Sequence, residues 1–87
     1  MKKIPMTQED RDYFKSGVRT LCGIEVIQAK NIINDPGLKA VFTSEDLDFM
    51  NKELGRQAGA VFARILRAIK KKDFKEAQRV ITGGKSR

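Results

Sequence analysis

The sequence predicts an all-α domain, a small bundle of about three to five helices. Three observations carry that expectation. Apolar residues recur at three- and four-residue steps, most regularly in the run Leu47, Met50, Leu54, Ala58, Val61, Ile65, Ile69. Capping residues followed by acids stand at Thr7, Thr43 and Asp73, where periodic segments begin. Chain breakers, Asp35-Pro36-Gly37 and Gly83-Gly84, separate or end these segments.

The first helix is expected from about Gln8, with Thr7 as its cap and Glu9 and Asp10 in the first turn, where the dipole favours acids. Phe14, Val18 and Leu21 share one face, and Cys22, Val26, Ala29 and Ile33 continue an adjoining stripe. The pattern predicts one long element ending before Asp35. Two features disturb it. Gly17 and Gly23 each weaken a helix interior by about 1 kcal/mol relative to Ala. In an unbroken helix Glu25 would project near the middle of the apolar face, while Ile24 and Ile27 would point away from it. The segment therefore either bends at Gly23 or is buried on two sides, as within a dimer, and the residues leave both open.

Asp35 before Pro36 reads as a cap followed by proline at the first helical position, giving a short turn over Gly37 to Val41. Thr43 then caps a helix beginning at Ser44, with Glu45 and Asp46 in its first turn and Phe42 placed to staple onto Leu47. The apolar run, widened by Phe62 and Leu66, predicts that it continues to about Lys71. Asp73 caps a last helix carrying Phe74, Ala77 and Ile81, which Gly83 and Gly84 end. The stretch Ala68 to Ala77 resembles the turn between antiparallel helices in tetratricopeptide-type repeats, where a capping acid precedes an aromatic. That resemblance covers about ten residues and implies a local helical hairpin. The expected core comprises Phe14, Val18, Leu21, Val26, Leu47, Met50, Leu54, Val61, Ile65, Ile69 and Phe74.

With 87 residues, 40% hydrophobic and 33% charged, the chain has the composition of one folded domain. We expect residues 1–6 to be a flexible N-terminus, 7–82 the helical domain and 83–87 a flexible basic tail. No apolar stretch approaches the roughly twenty residues of a membrane span, and Met1-Lys2-Lys3 has no apolar segment behind it to make a secretory signal. Cys22 is the only cysteine, so no intrachain disulfide forms and a reducing, cytoplasmic setting is expected.

Catalysis finds little support. There is no histidine, the commonest general base and metal ligand. One cysteine and scattered carboxylates form no recognisable metal cluster, and no cofactor motif is present. Gly84-Lys85-Ser86 mimics the end of a phosphate loop, but Arg79 stands where the first glycine should be. Cys22 reads as a small buried hydrophobe, and Glu25 as a salt-bridged or exposed carboxylate. The chain is expected to be non-catalytic.

The charge pattern is more informative. The net charge of +7 is concentrated in one part of the chain, because residues 1–50 carry seven Lys/Arg against eight acids and residues 51–87 carry eleven against three. On the long helix Lys52, Arg56, Arg67 and Lys70 fall opposite the Leu47 and Ile65 stripe, with Arg64 and Lys71 flanking them. Lys72, Lys75 and Arg79 extend the surface. Phosphates are the natural counter-surface, since each one neutralised releases condensed counterions. With no aromatic among these side chains, duplex or structured nucleic acid fits better than stacked single strands. A helix-turn-helix with its turn around Gly59 and a recognition helix from Ala60 would use the same residues, although an unbroken helix accounts for them equally.

The competing expectation is a small protein-binding adaptor or inhibitor, as a monomer or a homodimer, that docks on an acidic partner. Ile24 and Ile27 would mark its interface. Gly55, Gly59 and Ala63, spaced by four, would let another backbone approach, the chain's own first helix or a symmetry mate in preference to the backbone of a nucleic acid.

Overall fold

A computed structural model describes residues 3–84 and shows five helices. They are α1 (Gln8–Val18), α2 (Gly23–Ile33), α3 (Pro36–Lys39), α4 (Ser44–Lys70) and α5 (Phe74–Thr82), and no strand occurs among the described residues. At about 1.5 Å per residue, α4 is about 40 Å long. It forms the spine of a molecule measuring 50 × 24 × 16 Å. α1, α2 and α5 all pack on it, and α2 also meets α5.

The caps act where the sequence places them. Thr7 Oγ1 accepts the Asp10 N–H at 3.1 Å, and the Asp10 carboxylate accepts the Thr7 N–H at 3.0 Å, closing a capping box. Thr43 Oγ1 accepts from Asp46 N–H at 3.1 Å, and Asp73 Oδ1 from Glu76 N–H at 3.1 Å. Asp35 caps α3 through the Gly37 N–H at 3.1 Å.

The expected long first element is two helices. The break falls between Val18 and Gly23, not at Gly23 itself. Thr20 Oγ1 donates to the Gly17 carbonyl at 2.8 Å, and the Glu25 carboxylate accepts the Cys22 N–H at 3.0 Å, so Glu25 helps to start α2. Gln57 Nε2 then donates to the Leu21 carbonyl at 2.8 Å and ties the linker to α4. A Cβ on Gly23 would stand 3.4 Å from Ile81 Cα, so the glycine serves the close passage of α2 past the end of α5. The burial of α2 on two sides does not occur within one chain, since Ile24 and Ile27 are exposed.

Val18, Val26, Ile33, Met50 and Leu54 form the core between α1, α2 and α4, with Phe14, Leu21, Leu47 and Phe49 against it. Val61, Ala68, Ala77 and Val80 are buried where α5 returns along α4. Two expected core residues are not there. Ile69 is 45% exposed, because α5 covers the flank of Ala68 and the next residue turns about 100° away. Phe74 is 64% exposed in the first turn of α5, beside the turn that ends α4.

The N-terminal segment is tied down where it is described. Ile4 N–H donates to the Val41 carbonyl at 3.0 Å and Met6 N–H to Asp46 Oδ2 at 2.8 Å. Residues 1–2 and 85–87, which include most of the expected basic tail, lie outside the described residues.

Candidate nucleic-acid interface

The basic surface is built on the hairpin between α4 and α5. Its turn ends α4 with Lys72 in the left-handed region at φ 58°. Asp73 N–H returns to the Ala68 carbonyl and Lys72 N–H to the Ile69 carbonyl, both at 2.9 Å, which is the Schellman pattern. The turn reverses the chain within three residues, so α5 lies back along α4 and basic side chains from both helices share one end of the molecule. The helical hairpin implied by the local repeat-like resemblance is therefore present.

Between the helices is a polar cleft of about 410 Å³ lined by Arg64, Arg67, Lys71, Asp73, Glu76 and Arg79. Its two acids are engaged, Asp73 as the cap of α5 and Glu76 in an ion pair with Arg79. The nine basic residues expected at the interface divide into two groups. Lys52 pairs with Asp48 at 3.5 Å, Arg56 with Glu53 at 4.0 Å, and Arg79 with Glu76. Arg64, Arg67, Lys70, Lys71, Lys72 and Lys75 are exposed and have no ion-pair partner among the described residues. Repulsion among these six is left to solvent and counterions, which any polyanion would displace.

Three expectations at this surface change. The helix is unbroken through Gly59, so there is no helix-turn-helix turn. Gly55 and Gly59 do not pack on α1, because a Cβ at either would meet nothing within 4 Å, and Ala63 is exposed beside them. The basic cluster also has an aromatic neighbour after all: Phe74, expected in the core, stands exposed between Lys72 and Lys75.

Two apolar features of the surface stand apart from the basic hairpin. One is an apolar groove of about 740 Å³ along α1 and α2, lined by residues including Tyr13, Phe14, Val18, Leu21 and Ile33. It arises because α1 and α2 each pack on α4 and hardly on one another, which no local pattern reveals. The other is a run of exposed apolar side chains on α4, Phe62, Leu66 and Ile69, beside Gly55 and Gly59. Their three- and four-residue spacing is that of the core stripe, so the sequence alone does not separate them from it.

Among the described residues no helix is long and apolar enough to cross a membrane, and no group of three His, Cys, Asp or Glu is placed to hold a metal ion. The fold and this surface define a small all-α protein with a basic helical hairpin at one end. Comparison with protein families, curated proteins and solved structures finds no match.

Proposed function

We propose that the chain is a non-catalytic nucleic-acid-binding protein that holds the phosphates of duplex or structured nucleic acid on its α4–α5 hairpin. The observation that carries the reading is the group of six exposed Lys/Arg without an acidic partner among the described residues. Arg64 and Arg67 line the cleft, where planar guanidinium groups suit bidentate contact with phosphate, and the lysines surround it as point charges.

The test is fluorescence anisotropy of labelled duplex DNA, duplex RNA and single-stranded RNA across a salt series. Sub-micromolar duplex binding should weaken steeply with salt, and Arg67→Glu with Lys70→Glu should abolish it while the circular dichroism stays unchanged. Absence of binding at low salt would overturn the reading.

A second reading, a protein-binding adaptor or inhibitor, is favoured by the groove along α1 and α2 and by Ile24 and Ile27, which are 42% and 63% exposed. There the basic end would meet an acidic protein surface. Replacing Ile24 and Ile27 by Ser would then disrupt the complex and leave any duplex binding intact.

A further inference from the structure

We propose that the chain forms a homodimer in which α4 packs antiparallel on α4 of a second copy, through Gly55, Gly59, Phe62, Leu66 and Ile69. These five positions follow one another at steps of four and three, the period of a coiled-coil seam. Phe62 is 62% exposed, Leu66 42% and Ile69 45%. The seam lies about 110° round α4 from the buried Leu54 and Val61 line and about 110° from the middle of the basic flank, so it is a third face that no helix of the chain covers.

The face continues onto α2. That helix runs antiparallel to α4, with Leu21 bonded to Gln57 at one end and Asn34 Nδ2 to Asn51 Oδ1 at 3.0 Å at the other. Ile27 lies two turns before Asn34 on the same flank, and Gly55 and Phe62 follow Asn51 on theirs. Ile27, 63% exposed, thus borders the seam.

The elongated shape of the chain leaves surface enough for a partner of its own size. The chain exposes 6550 Å². A compact chain of 9.8 kDa exposes about 5,200 Å², leaving about 1,400 Å² in excess. A standard interface takes about 800 Å² from each partner. The radius of gyration, 15.0 Å, likewise exceeds the about 12 Å of a compact domain of this length.

A second copy fits because the seam is complementary to itself. Its first two positions are glycines and its last two are large, so an antiparallel pairing centred near Phe62 sets Gly55 opposite Ile69 and Gly59 opposite Leu66 of the partner. A parallel pairing would set glycine on glycine at one end and crowd the large side chains at the other. The glycines also cost α4 about 1 kcal/mol each relative to Ala, and among the described residues nothing would come within 4 Å of a Cβ at either. An antiparallel two-fold pair keeps the same flank of each helix on one side, so both basic flanks would form one continuous surface. The dimer itself does not rest on the nucleic-acid reading.

The test is sedimentation equilibrium of the full chain without nucleic acid, from about 1 µM to about 200 µM. The expected result is a mass of twice 9.8 kDa at the upper concentrations. Leu66→Glu should give a folded monomer, its side chain being partly in water already. Gly59→Leu should weaken the dimer at least tenfold while raising the helicity and thermal midpoint of the dilute chain, a combination that misfolding cannot produce. In a Cys22→Ser background, Gly55→Cys combined with Ile69→Cys should oxidise to a covalent dimer. A monomer at every concentration, or a dimer indifferent to both α4 substitutions, would overturn the inference. Crosslinking through Gly55→Cys alone would overturn the antiparallel arrangement.

Discussion

Arg11 of α1 donates to the buried carboxylate of Asp46 at 2.7 Å, and its guanidinium carbon lies 5.0 Å from the centre of the Phe49 ring. Asp46 is 2% exposed and also accepts the Met6 N–H, so one carboxylate joins the N-terminal segment, α1 and the first turn of α4. Removing the arginine would strand a buried charge. Arg11→Met should destabilise the chain by about 3 kcal/mol, read from urea unfolding. Because the arginine side chain is 34% exposed, water recovers part of the loss and the full upper range is not expected.

The same carboxylate makes stability depend on acid. The Met6 N–H first, then the Arg11 and Thr43 hydrogen bonds, hold its pKa below the ordinary 3.8 against the opposing effect of burial. A depressed folded value means that the stabilisation is complete above the unfolded value and is lost as pH falls through the folded one. Urea midpoints of the wild type should therefore drop below about pH 4. Asp46→Asn should be less stable near pH 7 and should lack this component of the acid transition. A parallel pH profile for the two proteins would contradict the assignment.

Lys72 is the only non-glycine residue at positive φ among those described. A side chain there costs about 1 kcal/mol relative to glycine. Lys72→Gly should raise the thermal midpoint, although it removes a cation. A lowered midpoint would mean that the lysine side chain supports the turn in a way its conformation does not show.

The division of basic residues into paired and unpaired predicts unequal effects on nucleic-acid binding. Arg64→Gln or Arg67→Gln should each reduce the salt slope by about 1, the loss of one phosphate contact. Lys52→Gln should change it less, since Asp48 already offsets that charge. Equal effects at all three positions would indicate a diffuse field and no defined surface.

Phe74 separates two modes of binding. If duplex phosphates are the target, Phe74→Ala should change duplex affinity by less than about twofold, because the ring stacks on no base there. A loss of tenfold or more on single-stranded RNA, with duplex binding unchanged, would instead identify the ring as a stacking platform flanked by Lys72 and Lys75.

The sequence by itself determined the capped helix starts and the end of α5, though not the break that divides the first element into α1 and α2. Thr7, Asp35, Thr43 and Asp73 each cap through bonds spanning two or three residues, and Gly83 ends α5 at φ 78°. Such interactions are local, so residue type and spacing suffice to find them. The asymmetry of charge was likewise a matter of counting. Tertiary structure alone decided which apolar positions became core. Ile65, Phe62, Leu66 and Ile69 all fit the helical period, yet α2 and α5 cover only one side of a 27-residue helix that is long enough to carry three faces. It also decided that Gly55 and Gly59 face open space and that Phe74 stands outside the core. These outcomes depend on where distant segments come to rest, and in so short a chain too few segments exist to cover every apolar stripe.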